Sequence, residues 1–212
     1  MANNIAIIGS GNVGRALGGK WAERGHSVAF SARDLDAPDL RSFVAQLGSR
    51  ASIAPNREAA AAADVVLLAT PWDATKSAIV ECGDLSGKTV IDATNPLLPA
   101  LAGIAVGTTT SGGEQVAQWA RGAHVVKAFN TVGANIMANP KFPSGAPVMF
   151  YCGDNAQAKQ TVRTLIAEIG FDAIDAGPLT QCRVLEPFAM LWISLALKHG
   201  LGREFAFQLL RR

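Results

Sequence analysis

The sequence has few of the features that mark disulfide-rich, metal-binding, membrane-spanning or nucleic-acid-binding proteins. Its three cysteines, Cys82, Cys152 and Cys182, are far apart and form no C-x-x-C or Cys/His cluster, which argues against a disulfide framework or a zinc site. The longest late apolar run, residues 187–197, has 11 residues, fewer than the roughly 20 that span a bilayer. The net charge is +2 and no Lys/Arg run lies inside the chain, so we expect neither a nucleic-acid partner nor a membrane one.

What is present indicates a compact globular protein. Of the 212 residues, 49% are hydrophobic and 17% are charged, and this length suits one domain or one domain with a small addition. The start of the chain has no basic region followed by a long apolar stretch, so we expect no secretory signal. Free, buried thiols in a reducing cytosol follow from the cysteine usage, and we predict a cytoplasmic location.

A glycine-rich turn near the start of the chain is the most specific motif. Residues 5–14 read IAIIGSGNVG, a G-x-G-x-x-G that follows an apolar run and precedes a helical pattern, as a dinucleotide site requires. Gly9 permits the tight turn, Gly11 lets the backbone approach a pyrophosphate, and Gly14 lets the helix pack close to the strand. The start of that helix favours a bound anion.

The end of the second apolar run indicates which dinucleotide is preferred. NAD sites usually carry Asp or Glu at this strand end to bind the adenosine 2′-OH, whereas this chain has Ser31-Ala32-Arg33. A hydroxyl and a guanidinium suit a 2′-phosphate, which a carboxylate would repel. We therefore predict NADP(H), with the neighbouring Asp34 as the residue that could instead serve NAD(H).

Apolar runs alternate with helical patterns along the rest of the chain. This order predicts an α/β fold with a doubly wound parallel sheet, Rossmann-like, over residues 1–177, and a C-terminal helical segment over residues 178–212. A flexible loop is expected at 103–113. The predicted strands are 5–8, 26–30, 64–69, 89–92, 125–129, 148–152 and 173–175, and the predicted helices include 39–47, 59–63, 155–169 and 184–201.

Ligands bind such sheets outside the carboxyl ends of the strands. The candidate site is therefore formed by the segments that follow the strands, namely 10–13, 31–33, 70–72, 94–96 and 130–134. The three histidines, His26, His124 and His199, lie outside these segments and are expected to be structural or superficial. No side chain is assigned as a general acid or base, so the catalytic residues are left unknown.

The strand-end segments together resemble one family. The sequences at 9–14, 31–33, 69–72, 92–97, 127–131 and 176–179, in that order, are similar to those of the NADP oxidoreductases that depend on coenzyme F-420 (F420), a deazaflavin. The reductase domain of the six-transmembrane metalloreductases is a relative. The resemblance covers nearly the whole chain and implies hydride transfer between NADPH and a flavin-like ring.

The resemblance also implies roles for single residues. Ser10, Gly11, Asn12 and Val13 would hold the pyrophosphate, and Ser31, Ala32 and Arg33 the 2′-phosphate. Thr70, Pro71 and Ala74 would line the path of the ribose and diphosphate, Asn95 and Ala134 would flank the nicotinamide, and Trp72 would either close the cleft or simply pack. With Gly9, Gly14 and Asn130, these are the predicted cofactor-binding residues.

The hydride acceptor stays open at this point. Deazaflavin-dependent members have His, and Pro three residues later, where this chain has Asn130 and Gly133, and the segment 127–131 is closer to the flavin-using metalloreductases. The acceptor is thus F420, FMN, FAD or another small molecule. Two alternatives to flavin reduction are a non-catalytic NADPH-binding redox sensor and an NADPH-dependent reductase of an imine or carbonyl substrate.

The C-terminal segment predicts an assembly. Apolar residues in 184–201 cover nearly every direction around a helix, more than one packing face needs, with Pro187 expected to start or kink it. A helix buried within one subunit would show the same pattern. We expect instead that one side packs on the sheet and the other on a second copy, giving a two-fold homodimer, with residues 198–203 near the acceptor cleft.

Overall fold

One mixed sheet organises the chain. The structure is a computed structural model that describes residues 2–212. Within these residues, eight strands form a sheet in the order β3-β2-β1-β4-β5-β6-β7-β8. The strands are β1 Asn4–Ile8, β2 Ser27–Ser31, β3 Ala51–Ile53, β4 Val65–Leu68, β5 Thr89–Asp92, β6 His124–Lys127, β7 Val148–Gly153 and β8 Asp172–Asp175. The helices are α1 Asn12–Glu23, α2 Pro38–Gln46, α3 Asn56–Ala62, α4 Trp72–Cys82, α5 Gly112–Trp119, α6 Ala134–Ala138, α7 Ala156–Ile169 and α8 Cys182–Leu197.

Helices cover both faces of the sheet, so its strands are buried on both sides. In β1, Ile5 and Ile7 point into one core, which α1, α2, α6 and α7 complete. Ala6 and Ile8 point into the other core, which contains residues of α3, α4, α5 and α8. This alternation across a fully buried strand explains why the strand sequences are apolar throughout. The Rossmann-like α/β class predicted from the sequence is confirmed.

Strand direction differs from the prediction at one edge. The five pairings among β1 to β6 are parallel, whereas β7 is antiparallel to β6, with Lys127 opposite Cys152. A parallel neighbour needs a long crossover, usually a helix, and the only helix between β6 and β7 in the described chain is the five-residue α6. The sheet is therefore mostly, rather than wholly, parallel.

Capping residues define both ends of α7 and the start of α5. Helix α7 starts after Asn155, whose Oδ1 accepts the N–H of Ala158 at 2.9 Å, and ends at Gly170 in the left-handed conformation. The expected loop 103–113 gives way to α5 at Gly112. The Ser111 Oγ accepts the N–H of Glu114 at 3.2 Å there, so the S-x-x-E capping box was a signal that the prediction missed.

The C-terminal segment packs onto the sheet domain. Cys182 and Leu185 of α8 belong to the same core as β4 and β5, and the helix ends at Leu197 rather than at 201. Pro187 lies on the exposed side within the helix. After α8 the chain returns to the sheet, where the Phe207 carbonyl accepts the N–H of Val148 in β7 at 2.9 Å. The division at residue 177 stays a prediction. No helix in residues 2–212 has both the length and the apolar character needed to cross a membrane.

Candidate cofactor site

The three glycines of the first turn have three different surroundings. Gly9 has φ +100°, and a Cβ there would lie 2.7 Å from the Ala69 carbonyl oxygen. A Cβ at Gly14 would overlap the Gly9 carbonyl and lie 2.8 Å from Ile7 Cγ2. Around Gly11, by contrast, no atom lies within 4 Å of a built Cβ. Gly9 and Gly14 are thus required by the fold itself, whereas Gly11 leaves open space, as a position next to a ligand would.

The start of α1 has unpaired N–H groups beside that space. Gly11 precedes the helix in an extended conformation and no side chain caps it. The first turn contains no acidic residue. Arg15 Nε donates to the Ser10 carbonyl at 2.9 Å and its Nη2 to Asp39 Oδ2 at 2.6 Å, which ties the glycine turn to α2 and, through this hydrogen bond, lowers the pKa of Asp39. This helix end has the character of an anion site.

The end of β2 supplies two further groups. Ser31 is buried, and its Oγ has no hydrogen-bond partner among residues 2–212, a feature that usually marks a missing partner. Arg33 is exposed and forms no salt bridge with any residue of the described chain. Asp34 Oδ1 accepts the N–H of Asp36 at 2.9 Å, so this carboxylate is engaged in its own turn. Ala32 lies half-buried between Ser31 and Arg33.

A cleft of about 600 Å³ opens at the carboxyl ends of β4 and β5. Its walls include five of the predicted site residues, Val13, Thr70, Pro71, Trp72 and Asn95. The Trp72 ring also packs on Trp119, with ring centres 5.3 Å apart, so this side chain both lines the cleft and packs against α5. Ala74 lies in the first turn of α4 and is not among the residues that line the cleft; its N–H donates to the Pro71 carbonyl at 3.1 Å. We call this space the cleft.

Two asparagine amides meet at one end of the cleft. Asn95 Nδ2 donates to the Asn130 carbonyl at 2.8 Å, and Asn130 Nδ2 donates to Asn95 Oδ1 at 3.2 Å and to the Leu185 carbonyl at 3.3 Å. Asn130 is only 4% exposed, and its Oδ1 has no partner in the described chain. It therefore lies behind Asn95 rather than on the cleft wall. Phe129, with φ +60°, turns the chain between β6 and Asn130.

A second space, which we call the groove, runs along α1 from Asn12 in its first turn to Glu23 at its last residue. It has a volume of about 690 Å³. Asn12 lines the groove, whereas its neighbour Val13 lines the cleft. The predicted residue Ala134 is found here and not in the cleft. The other lining residues are Arg15, Ala16, Gly19, Lys20, Glu23, Phe43, Leu47, Gly133, Asn135, Ala138, Trp192, Leu197, Arg203 and Glu204.

The C-terminal residues reach the rims of both spaces. Lys198 Nζ donates to the Leu101 carbonyl at 2.6 Å, next to the 97–99 segment of the cleft wall. Arg203 lines the groove, and its carbonyl accepts from Asn135 Nδ2 at 2.9 Å. Trp192 lies over Gly133, where a Cβ would be 2.7 Å from the indole ring. The Pro of the deazaflavin-dependent pattern would not fit at this position without movement of Trp192.

A buried charge cluster beneath the cleft was not predicted. Lys127 Nζ lies 2.9 Å from Asp92 Oδ2 and 2.9 Å from Glu186 Oε1, and none of the three side chains is more than 1% exposed. Burial by itself would lower the pKa of Lys127, but Asp92 and Glu186 raise it above its ordinary value, so the lysine is charged. A lone lysine in the apolar run VVKAF was the available signal, because a buried lysine requires a partner.

The three cysteines and His26 are buried side chains. All three cysteines are free and buried, and burial raises the pKa of Cys82 to about 12, with a smaller contribution from Glu81. His26 lies at the opposite, amino end of β2, where its Nε2 is 2.8 Å from Glu168 Oε2. In the part of the chain that the structure describes, no cluster of His, Cys, Asp and Glu could hold a metal ion.

Comparisons with known proteins find several similar sequences. A family described as NADP oxidoreductase, coenzyme F420-dependent, matches residues 4–96. An F420-dependent NADP reductase of Methanothermobacter thermautotrophicus is 30% identical over 213 residues, which cover 94% of this chain and 91% of that protein. The rat metalloreductase STEAP3 is 27% identical over 87% of this chain but only 36% of its own length.

A solved structure is similar over the entire chain. The crystal structure assigned as an F420-dependent NADP reductase from Arthrobacter sp. FB24 superposes with a TM-score of 0.89 at 30% identity. The match covers 99% of this chain and 100% of that one. The similarity therefore includes α8 and the C-terminal segment as well as the sheet domain.

Proposed function

Since this chain belongs to the family of coenzyme F420-dependent NADP oxidoreductases, we propose that it transfers a hydride between NADPH and a flavin or deazaflavin. It is an NADP-dependent oxidoreductase, as its named relatives are. The acceptor we propose is F420, with FMN and FAD as the flavins to be compared. The protein would act on small molecules alone.

The features around the glycine turn fit NADPH. The open space at Gly11 and the uncapped start of α1 would receive the pyrophosphate. Arg33 is exposed and has no ion pair within residues 2–212, so it is available to a 2′-phosphate. Ser31 Oγ is buried and lacks a partner, and it would reach the same phosphate after rotation of its side chain. A carboxylate that would repel this phosphate is absent from position 31, and Asp34 is occupied by its own turn.

The groove is the observation that supports a place for a second ring, and the F420-dependent relatives favour F420 among the candidate rings. The cleft and the groove both reach the first turn of α1, where Val13 lines the cleft and Asn12 lines the groove. The nicotinamide would lie between Asn95 and Ala134, which line the two spaces. A second planar ring can then approach from the groove, whose lining combines the small residues Ala16 and Ala134 with the Phe43 and Trp192 rings.

The reaction requires little chemistry from side chains. NADPH would supply the hydride when bound, and the residues that line the cleft and the groove would orient the two rings and exclude water. Asp73 is the only titratable residue on the described cleft wall, which agrees with a reaction that needs no general acid or base there. Asn95 and Ala134 would set the position and face of the nicotinamide.

Steady-state oxidation of NADPH tests the proposal. F420, FMN, FAD, a simple ketone and a ketone–amine mixture are supplied as alternative acceptors, and loss of NADPH absorbance is followed. We expect turnover with F420 or a flavin and none with the ketone. Turnover with the ketone or the imine alone would replace this function with carbonyl or imine reduction, and tight NADPH binding without turnover on any acceptor would favour a sensor.

A matched pair of variants ties the activity to the site. Gly11→Val fills the open space next to the turn, whereas Gly107→Val adds the same side chain to an exposed loop glycine that lines neither space. Gly11→Val should abolish turnover and Gly107→Val should retain it. Equal activity of both variants would show that the turn does not hold the cofactor.

A further inference from the structure

Lys127 has a complete set of hydrogen-bond acceptors in a place where no solvent reaches it. Its Nζ donates to Asp92 Oδ2 at 2.9 Å, to the Thr94 carbonyl at 2.7 Å and to Glu186 Oε1 at 2.9 Å. A buried ion cluster of this kind is a poor source of net stability, because the desolvation of the charges offsets their attraction. We therefore look for a role of this cluster in fixing the position of neighbouring residues rather than in stabilising the fold.

The cluster holds the turn that carries Asn95. Asp92 Oδ1 accepts both the N–H and the Oγ1–H of Thr94, at 2.9 and 2.7 Å. Together with the bond from Lys127 to the Thr94 carbonyl, these bonds fix the N–H, the hydroxyl and the carbonyl of Thr94. Asn95 is the next residue, and it lies on the cleft wall.

The same cluster brings α8 to the site. Glu186 accepts the N–H groups of Gly112 and Gly113 at 2.9 Å each, so one carboxylate joins Lys127 to the start of α5. Its neighbour Leu185 accepts from Asn130 Nδ2, and Asn130 in turn pairs with both amide atoms of Asn95. The backbone of Asn95 is held through Lys127, and its amide is held through Asn130.

This pairing determines which way the Asn95 amide faces. Its Oδ1 accepts from Asn130 and one Nδ2 hydrogen is donated to the Asn130 carbonyl. The second Nδ2 hydrogen has no partner in residues 2–212 and belongs to a side chain that lines the cleft. A nicotinamide carboxamide offers an acceptor for such a donor. Loss of the support beneath Thr94 would move this donor without removing any group that touches NADPH.

We propose that Lys127 is a positioning residue, which clamps the Thr94–Asn95 turn between the sheet and α8 and thereby orients the nicotinamide for hydride transfer. The proposal rests on the NADPH-dependent function proposed above. It separates two tasks: the glycine turn and the end of β2 hold NADPH, whereas the clamp sets the angle and distance of the reacting ring.

Substitution of Lys127 should therefore reduce turnover far more than affinity. In Lys127→Met we expect the Kd for NADPH, measured by calorimetry, to stay within threefold of the wild-type value. The kcat should fall about 100-fold, as a displacement of roughly 1 Å produces at a reacting centre. Transfer from NADPH deuterated on one face of C4 should lose its facial selectivity, which a merely less stable protein would retain.

Two further variants keep the test decisive. Because Lys127→Met leaves two buried carboxylates unpaired and could prevent folding, the neutral triple variant Asp92→Asn, Lys127→Met, Glu186→Gln is measured beside it, and a lowered kcat with retained affinity is expected again. Ile166→Ala, a buried change in α7 on the other face of the sheet, controls for lost stability and should keep both kcat and facial selectivity.

The outcomes separate this inference from the proposed function. Failure of the wild-type protein to bind NADPH would refute both the proposed function and the positioning role of Lys127. Wild-type protein that binds and oxidises NADPH, together with a triple variant of unchanged kcat and selectivity, would overturn the positioning role alone. A parallel loss of affinity and kcat in the Lys127 variants would do the same, because it would place Lys127 in binding rather than in orientation.

Discussion

Replacing Ser31 with alanine should change the stability of the cofactor-free protein and its affinity for NADPH in opposite directions. Ser31 is the last residue of β2, it is 1% exposed, and its Oγ has no partner in residues 2–212. A buried hydroxyl without a partner costs about 1–3 kcal/mol. Removal of that oxygen should stabilise the free protein by about 1 kcal/mol, which raises Tm by about 2–4 °C for a chain of this size.

The effect on binding follows from the partner that Oγ would gain. A hydrogen bond to a charged phosphate contributes about 1.5–3 kcal/mol, so Ser31→Ala should raise the Kd for NADPH by about 10- to 150-fold. NADH has no 2′-phosphate, and its Kd should not change. The two affinities are measured by titration calorimetry, and Tm by thermal unfolding without nucleotide.

A change on the same strand provides the control. Ser27→Ala lies at the opposite, exposed end of β2 and should alter neither Tm nor either affinity. A lower Tm for Ser31→Ala in the absence of nucleotide would refute the claim that this hydroxyl is an unpaired, costly group. An equal loss of affinity for NADPH and NADH would refute its assignment to the 2′-phosphate.

Four other predictions concern the cofactor, the turn, the assembly and the thiols. Arg33→Ala should weaken NADPH more than NADH, with the difference shrinking as salt is added, since an exposed charge is screened; wild-type protein with equal affinity for both nucleotides would contradict it. Gly11→Val should abolish NADPH binding while Tm changes little, because open space surrounds the new side chain; normal binding would disprove the dinucleotide site. Light scattering at tens of micromolar should give twice the 22.1 kDa chain mass. Leu191→Glu should halve the measured mass, since Val184, Leu191 and Leu197 on α8 are 60%, 49% and 45% exposed and are available to a second copy. A monomeric mass for the wild-type protein would refute the predicted dimer. Cys82 should resist iodoacetamide at pH 8.5 in the folded protein and react in denaturant, because burial raises its pKa to about 12; rapid labelling of the folded protein, detected by mass spectrometry, would show that the thiol is accessible.

The sequence alone determined the parts of the site that depend on neighbouring residues. Gly9 lies in a turn, Gly11 lies beside an open space, and Gly14 makes a close contact between helix and strand. The structure shows this turn, this space and this contact within one strand-turn-helix unit. The apolar runs located the strands because buried parallel strands need apolar residues on both faces. The carboxyl ends of those strands then indicated where Thr70, Trp72 and Asn95 would meet.

Only the tertiary structure decided which of these residues face the same space. Asn130 and Ala134 follow β6 as predicted, yet one is buried behind Asn95 and the other lines the groove. The direction of β7 was likewise decided by its connection to β6, because an apolar run does not encode the direction in which its strand runs. The cluster of Lys127, Asp92 and Glu186 joins β6, β5 and α8, three elements far apart in the chain. The run VVKAF indicates that Lys127 is buried and needs a partner, but no pattern among neighbouring residues identifies that partner, since only folding brings the two carboxylates to the lysine.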